Sequence, residues 1–405
     1  PASKRKRLRD SVVTLRKQNL SIHDISRTLS REGNPVSAAT VSTILSEEGF
    51  ARLPRRSDDE RPREVRAATA DVADVRSLDL TERTFRTKFG GLFLFVPLLV
   101  ETDLKTILRR AELPGTKQIP ADCAVRSLLG LKLFGNARRS HVMSHVFDEG
   151  LALFAGLNVT PKRSFLTEYS CRISVNCYPK WMRRWFDVVG RLGRGWGTSF
   201  DLDFHTIPFH GQDALIEKHY VSKRSRKQKG ILAFLAQDAE RRVFCYANAD
   251  VRKDQQNDEI LSFVRFWKRR TGKLPEELVF DSRLTTYVKL NELNKQGIRF
   301  ITLRRRTAKL MREIASRSPS AWRKIELESI SRAYRTPRIL DQRVTMSDYD
   351  GPIRQLVAAD LGHEAPTVLL TNQLRRSPAK LIGRYARRML IENGIEDGKI
   401  GRAHV

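Results

Sequence analysis

The stretch SFDLDFHTIPF, residues 199–209, alternates apolar and polar side chains with a period of two. That period is typical of a β-strand, because successive side chains on a strand point to opposite faces of the sheet. The aromatic and leucine side chains therefore share one face, and Asp201, Asp203 and His205 share the other. The sequence thus gathers two carboxylates on the polar side of one predicted strand.

This strand opens a region in which strand and helix patterns alternate. Strand patterns recur at RVFCYANAD (242–250), ELVFDS (277–282) and RFITLR (299–304), with helical patterns over 256–272 and 286–297. Such alternation predicts an α/β domain. Further along, residues 305–378 carry short β-like pieces without a long helix, and residues 379–397 return to a helical pattern.

A third carboxylate, Asp281, directly follows the apolar run ELVF. In α/β sheets, ligands and catalytic groups gather at the carboxyl ends of strands. An aspartate at a strand end is just as often a turn former, so Asp281 alone decides nothing. Grouped carboxylates, however, supply the oxygen ligands that Mg²⁺ takes.

The charge of the chain favours a polyanionic partner. The 405 residues contain 75 Lys and Arg against 46 Asp and Glu, which gives a net charge of +29. A positive field of this size attracts nucleic acid, although a merely very soluble basic protein is the alternative. The run KRSRKQK, 223–229, is predicted to be a loop whose cations follow a phosphate backbone, unless it is only a solvated loop. Its cations are Lys223, Arg224, Arg226, Lys227 and Lys229.

The first 53 residues predict three short helices. Apolar residues recur at helical spacing after Leu8, after the cap Ser21 and after Ser37. The basic arm KRKRLR and the outward Thr40, Ser42 and Thr43 favour a helix-turn-helix DNA-binding domain over a generic three-helix bundle.

The middle of the chain and its cysteines bear on domain boundaries and location. Residues 54–84 are expected to contain a polar linker, and residues 85–196 to be helical. The apolar run FGGLFLFVPLLV, 89–100, is too short to span a bilayer, so a buried segment is expected and no membrane. The four cysteines lack CxxC spacing and are expected to be reduced core residues of a cytoplasmic protein.

One motif near the end of the chain resembles a known family. The spacing Tyr385-x2-Arg388-x3-Glu392-x6-Lys399 resembles the Tyr-Arg-Glu-Lys signature of bacterial insertion-sequence transposases of the DDE class, the insertion-sequence-four family. The segments DLDFHTIPFHG, LVFDSRLTTY and GIRFITLRRR resemble the same class. The resemblance covers roughly residues 197–399.

The resemblance implies an α/β fold with a ribonuclease-H-like catalytic core and a β-rich insertion. It implies that Asp203, Asp281 and Glu392 are catalytic and bind two Mg²⁺ ions, for which Mn²⁺ can substitute. Asp203 is preferred as the first ligand because Asp-x-His precedes a Pro-x-x-Gly segment, and Asp201 stays open as its substitute. Tyr385, Arg388 and Lys399 would contact DNA.

On one continuous helix, Tyr385, Arg388 and Glu392 would share a face. An ordinary surface ion pair between Arg388 and Glu392 is the structural alternative. The last six residues, IGRAHV, match what one reading frame of a sequencing adapter encodes. Two interpretations are open: the residues are encoded by an adapter, or they are an ordinary tail. In the first case the chain is C-terminally truncated and Lys399 is accidental.

The predicted function is metal-dependent hydrolysis at the inverted terminal repeats of an insertion sequence. Strand transfer then joins the freed 3′-hydroxyl to target DNA. Double-stranded DNA is the expected partner, and the resemblance implies a homodimer on DNA and a bacterial, nucleoid-associated location. A structure-specific nuclease and a non-catalytic DNA-binding regulator are the alternatives. The expected domains are: 1–53 helix-turn-helix, 54–84 linker, 85–196 helical domain, 197–304 first part of the core, 305–378 insertion, and 379–405 core helix carrying Glu392.

Overall fold

The computed structural model describes residues 4–18, 20–51, 78, 80–135, 139–193, 195–209, 216–221, 226–281, 285–327, 336–362 and 364–398. Its contacts divide the chain into two compact units, Pro1–Ala73 and Asp74–Val405. Of the expected linker, 54–84, residues 54–77 and residue 79 lie outside the described residues.

The N-terminal unit contains three short helices, as the sequence predicted. They are α1 (Lys4–Lys17), α2 (Ile22–Arg31) and α3 (Ala38–Glu47). Ser21 and Asp24 form the predicted capping box at the start of α2, and Ser37 caps α3. Apolar side chains from all three helices form one core. Thr40, Ser42 and Thr43 are exposed on α3, as expected.

The second unit begins with a series of helices between residues 96 and 192. They are α4 (Val96–Glu101), α5 (Leu104–Arg110), α6 (Ala121–Leu133), α7 (Glu149–Ala155), α8 (Arg163–Arg172) and α9 (Cys177–Leu192), with 3₁₀ turns at Gly90–Phe95 and Arg139–Ser144. Two predictions fail here. The apolar run 89–100 is only partly buried, since Leu94 and Val100 are 83% and 72% exposed. Cys171 is exposed, because it lies on the outer face of α8, whereas the other three cysteines are buried.

A single mixed sheet organises the rest of the unit. Its strands are β1 (Ser199–Pro208), β2 (Lys218–Val221), β3 (Arg226–Asp238), β4 (Phe244–Val251), β5 (Glu277–Phe280), β6 (Arg299–Leu303), β7 (Arg323–Lys324), β8 (Arg338–Val344), β9 (Ile353–Ala359) and β10 (Thr367–Thr371). The spatial order is β2-β3-β1-β5-β6-β10-β9-β8-β7, and β4 pairs with β3. Strands β1, β5 and β6 are parallel to one another, and the other pairs are antiparallel.

The predicted alternation of β1 explains how the sheet is covered. Phe200 and Leu202 pack into a large aromatic core with helix α10 (Glu259–Thr271). Helix α11 (Tyr287–Lys295) connects the parallel strands β5 and β6, which need a crossover between them. The opposite face of the sheet, at Val279 and Ile301, is covered by Leu381 and Ile382 of the C-terminal helix α13 (Pro378–Arg388).

The predicted β-rich segment contributes β7 to β10 and a short helix, α12 (Ala308–Ala315). Strand β10 pairs with β6 through Leu369 and Leu303, so this segment continues the sheet that β1, β5 and β6 begin. After β6 the chain re-enters the sheet at the edge with β7, and the order β7-β8-β9-β10 brings it back beside β6.

The helix predicted over 379–397 is divided in two. Helix α13 ends at Arg388, and α14 (Leu390–Gly398) follows after the single residue Met389. The Glu392 amide hydrogen-bonds to the Met389 carbonyl, three residues back, instead of four. The prediction of one continuous helix was therefore wrong, because the backbone tightens by one residue at this junction. No helix in the described ranges has the length and apolar character needed to cross a membrane.

Candidate active site

Parallel pairing of β1 with β5 determines the relative positions of the first two predicted metal ligands, Asp203 and Asp281. The register of β1 and β5 matches Asp201 with Val279. Two residues further along the chain come Asp203, still on β1, and Asp281, directly after β5, so the parallel register carries these residues to neighbouring positions. The side chain of Asp203 is largely buried, with 16% of its surface exposed.

The third acid reaches the same neighbourhood from the C-terminal helices. Arg388 is 5% exposed and lies between two acids. Its Nη1 lies 3.4 Å from Oδ1 of Asp203, and its Nη2 donates a 3.3 Å hydrogen bond to Oε1 of Glu392. The guanidinium also lies 5.6 Å from the centre of the Tyr385 ring. Arg388 therefore joins Glu392 to the strand that carries Asp203.

The electrostatics indicate that Asp281 and Glu392 both act on Asp203. Burial raises the pKa of Asp203 to about 6; Arg388 opposes this shift, and the charges of Glu392 and Asp281 add to it. Burial likewise raises the pKa of the Tyr385 phenol to about 12, with Asp281 and Asp203 contributing. Charges affect a pKa in this way only over short distances, so Asp281 and Glu392 both lie within electrostatic reach of Asp203.

The donor chemistry of this cluster suits a hard divalent cation, because all three acids offer carboxylate oxygens. Within the described part of the chain, however, no group of three His, Cys, Asp or Glu side chains is arranged to hold a metal ion. The Arg388 guanidinium occupies the space between the Asp203 and Glu392 carboxylates instead. Two of its donors, Nε and Nη1, have no hydrogen-bond partner among the described atoms.

Asp201 and Asp203, which sequence patterns could not tell apart, occupy different environments. Asp201 is fully buried, and its Oδ1 accepts a 2.6 Å hydrogen bond from Nη1 of Arg384. Arg384 also donates to Glu277 and to the Ser199 hydroxyl, at 3.0 and 2.9 Å. Asp201 is thus part of a buried ionic network, whereas Asp203 faces Arg388 and the other two acids.

The network around Glu277 was not predicted from the sequence. Burial alone would raise the pKa of Glu277, but Arg384 and Arg376 outweigh it and hold that pKa below its ordinary value. Burial raises the pKa of Asp201, and Arg384 opposes that shift. A signal was present in the sequence, because Arg384 and Arg388 are one helical turn apart and match Asp201 and Asp203 on one strand face.

The basic run that was predicted to be a loop is largely a strand. Arg226, Lys227 and Lys229 belong to β3 and pair with β2. The loop prediction was wrong over 226–229, because the polar run continues directly into the apolar half of β3 and shares its ladder. Lys223, Arg224 and Lys399 lie outside the described residues.

Comparisons with known proteins add little to this geometry. No family model and no curated protein matches the chain. Among solved structures, the chain is similar to a piggyBac transposase, in a cryo-EM synaptic complex with hairpin DNA, with a TM-score of 0.41 and 13% identity. The match covers 76% of this chain and 66% of that chain. A likeness this distant does not establish what the protein does, and its own residues have to carry any functional assignment.

Proposed function

We propose that this protein is a DNA transposase that cleaves phosphodiester bonds at the ends of a mobile element and joins the freed 3′-hydroxyl to target DNA. The observation that carries the proposal is the convergence of Asp203, Asp281 and Glu392 around Arg388. These residues come from three separate parts of the chain. The mixed sheet supports a ribonuclease-H-like core as the finer description of the fold.

Each residue of the cluster has a defined task in this proposal. Asp203, Asp281 and Glu392 would hold the Mg²⁺ ions, which when bound stabilise charge on the attacking and leaving oxygens of a phosphoryl displacement. Arg388 would release its carboxylate partners and offer its guanidinium donors to a DNA phosphate through its planar fork. Tyr385 would fix that guanidinium from one side.

The N-terminal unit and the basic hairpin would bind the DNA. The exposed Thr40, Ser42 and Thr43 of α3 are small polar side chains suited to base edges in a groove. Arg226, Lys227 and Lys229 at the start of β3 would neutralise phosphates. Two copies of the protein would bring two element ends together.

The test is cleavage of DNA fragments that carry the ends of the protein's own element, with the complete protein and Mg²⁺. Asp203→Asn, Asp281→Asn and Glu392→Gln should each lower the cleavage rate by at least about 10²-fold, the usual cost of removing one transition-state stabiliser. Asp250→Asn, which changes an exposed carboxylate on β4, is the control and should retain the wild-type rate. Undiminished cleavage by the three variants would reject the assignment.

Pre-cleaved ends distinguish a transposase from a nuclease. When they are incubated with a target plasmid, a transposase yields covalent strand-transfer products, because the 3′-hydroxyl attacks a phosphodiester directly. A structure-specific nuclease on the same core yields only hydrolysis products.

A non-catalytic DNA-binding protein is the second candidate, and one observation favours it. Arg388 already forms ion pairs with both Asp203 and Glu392, and no metal-ligand group is assembled in the described residues. This candidate predicts specific DNA binding that needs no metal, and no cleavage by the complete protein under any condition.

A further inference from the structure

A second feature of the sheet lies at the opposite end of its parallel strands from the three acids. A concave cavity of about 850 Å³ opens where β1, β5 and β6 begin. Its lining includes Ser199 at the start of β1, Glu240, Arg375 in the loop after β10, and Arg384 and Arg387 on α13. We call this cavity the arginine groove. Ser199 precedes Asp203 by four residues of β1, which separates the groove from the acids by roughly 13 Å.

The charges of the arginine groove do not cancel. Its lining carries five arginines against three glutamates. Glu276 is paired with Arg299 at 2.8 Å, and Glu277 is paired with Arg376 and Arg384. Two of the three acids are thereby neutralised.

Two arginines of the groove are left available. Arg375 and Arg387 are exposed, and neither side chain has a hydrogen bond or ion pair within the described ranges. They come from different elements, since Arg375 lies in the loop after β10 and Arg387 on α13. The groove therefore presents two separate free guanidinium groups to solvent.

The backbone that carries these arginines is held rigidly. Arg354, which is 6% exposed, donates from Nη1 to the carbonyls of Gln373 and Arg376. The same side chain forms two hydrogen bonds with Asp341. The loop is thus fixed on both sides of Arg375, and α13 is fixed by the buried Arg384. A ligand of the groove would spend little free energy on ordering it.

We propose that the arginine groove binds the phosphate backbone of double-stranded DNA at a place separate from the three acids. This inference rests on the proposed function, in that it assigns a second contact to the same DNA-processing protein. Guanidinium groups match phosphate oxygens in a planar, two-bond geometry. A small anion would need several buried donors that converge on one point, whereas the free arginines here are exposed and lie on two elements.

The experiment measures binding of a fluorescent 30-base-pair duplex of arbitrary sequence by anisotropy, at a series of salt concentrations without divalent ions. Each phosphate contact contributes about 0.9 to the slope of log K against log salt. The double variant Arg375→Ala/Arg387→Ala should therefore bind more weakly, with a slope shallower by about two. The control Lys162→Ala/Arg163→Ala removes the same charge from the exposed start of α8 and should keep the wild-type slope.

Three results would overturn the proposal. One is a wild-type slope in the groove variant, and another is an equal loss of slope in the control. The third is displacement of the duplex by micromolar pyrophosphate from wild type but not from the groove variant, which would identify a small-anion site. Thermal unfolding of each variant verifies that it remains folded.

The outcome is independent of the cleavage assay. Asp203→Asn protein should bind the duplex with the wild-type slope, since that substitution leaves the arginine groove intact. If cleavage is absent while the groove variant shows the shallower salt slope, the groove assignment is supported and the proposed catalytic function is rejected. If cleavage follows the three acids while the slope is unchanged, only the groove assignment fails.

Discussion

Arg384 donates a 2.6 Å hydrogen bond to Asp201, and both side chains are buried. One turn later on α13, Arg388 lies beside Asp203. Four helical residues rise about 6.0 Å and two strand residues about 6.6 Å, so the spacing of the two arginines along α13 matches the spacing of the two aspartates along β1. The first pair holds α13 on the sheet, and the second lies at the candidate active site.

Removal of the first arginine should destabilise the fold. Arg384→Met leaves Asp201 and Glu277 as buried charges without that partner, which typically costs about 3–5 kcal/mol. Urea unfolding measures the loss. Arg387→Met, on the exposed side of the same helix, is the matched control and should change stability by less than about 0.5 kcal/mol. Equal effects of the two substitutions would show that the buried network does not anchor α13.

The two aspartates of β1 should differ in their response to metal. Asp203→Asn should weaken Mn²⁺ binding by at least about tenfold, since even outer-shell partners of a metal contribute that much. Asp201→Asn should lower the unfolding temperature yet retain Mn²⁺ affinity, because Asp201 pairs with Arg384. Calorimetric titration of both variants checks this. The opposite ranking of affinities would make Asp201 the ligand.

Arg388 and a metal ion should compete for the same carboxylates. A cation next to a carboxylate typically stabilises its charge by about 1–3 pKa units, and this stabilisation is lost when a metal displaces it. Arg388→Gln should therefore bind Mn²⁺ at least about tenfold more tightly than wild type in the absence of DNA. Arg387→Gln, the neighbouring exposed arginine, should not. Weaker Mn²⁺ binding by Arg388→Gln would mean that this arginine supports the site instead of blocking it.

Stability without metal should depend on the titration of Asp203. Burial and the charges of the other two acids raise the pKa of Asp203 to about 6, although Arg388 lowers it. A carboxyl group with a raised folded-state pKa binds its proton more tightly in the folded protein, so stability falls as pH rises from about 4 to about 6. The full effect is up to about 3 kcal/mol.

Asp203→Asn removes this penalty. In EDTA, the variant should resist urea better than wild type at about pH 7.5 and lose that advantage near about pH 4. Asp250→Asn is the exposed control. Parallel pH profiles for wild type and Asp203→Asn would show that Asp203 titrates as it does in the unfolded chain.

The outward side chains of α3 should affect sequence preference. Ser42→Ala/Thr43→Ala removes two exposed hydroxyls without disturbing the buried Val41 and Ile44. Specific contacts of this kind are worth about 1–3 kcal/mol each, so the preference for element ends over random DNA should fall at least about fivefold. Competition binding measures the ratio. A uniform loss on both DNAs would indicate phosphate contacts instead.

Local sequence patterns were sufficient for the elements whose signals are local. The alternation in SFDLDFHTIPF predicted β1, and Ser21 and Ser37 marked the starts of α2 and α3. The pattern failed for β3, where a basic run and an apolar run form one strand that looks like two segments. It also did not mark β9, which is buried along almost its whole length although Arg354 and Gln355 interrupt its apolar residues. Strands of this kind are recognised by their neighbours, which the local sequence does not show.

By itself, the sequence determined the basic charge, the three N-terminal helices, the α/β alternation and the residue types of the candidate site, because each depends on composition or on short-range periodicity. Only the tertiary structure decided which aspartate of β1 is structural. It also decided that Arg388 lies between Asp203 and Glu392, and that the arginine groove exists. These features depend on strand register and on the position of α13, which join residues up to 185 positions apart, such as Ser199 and Arg384.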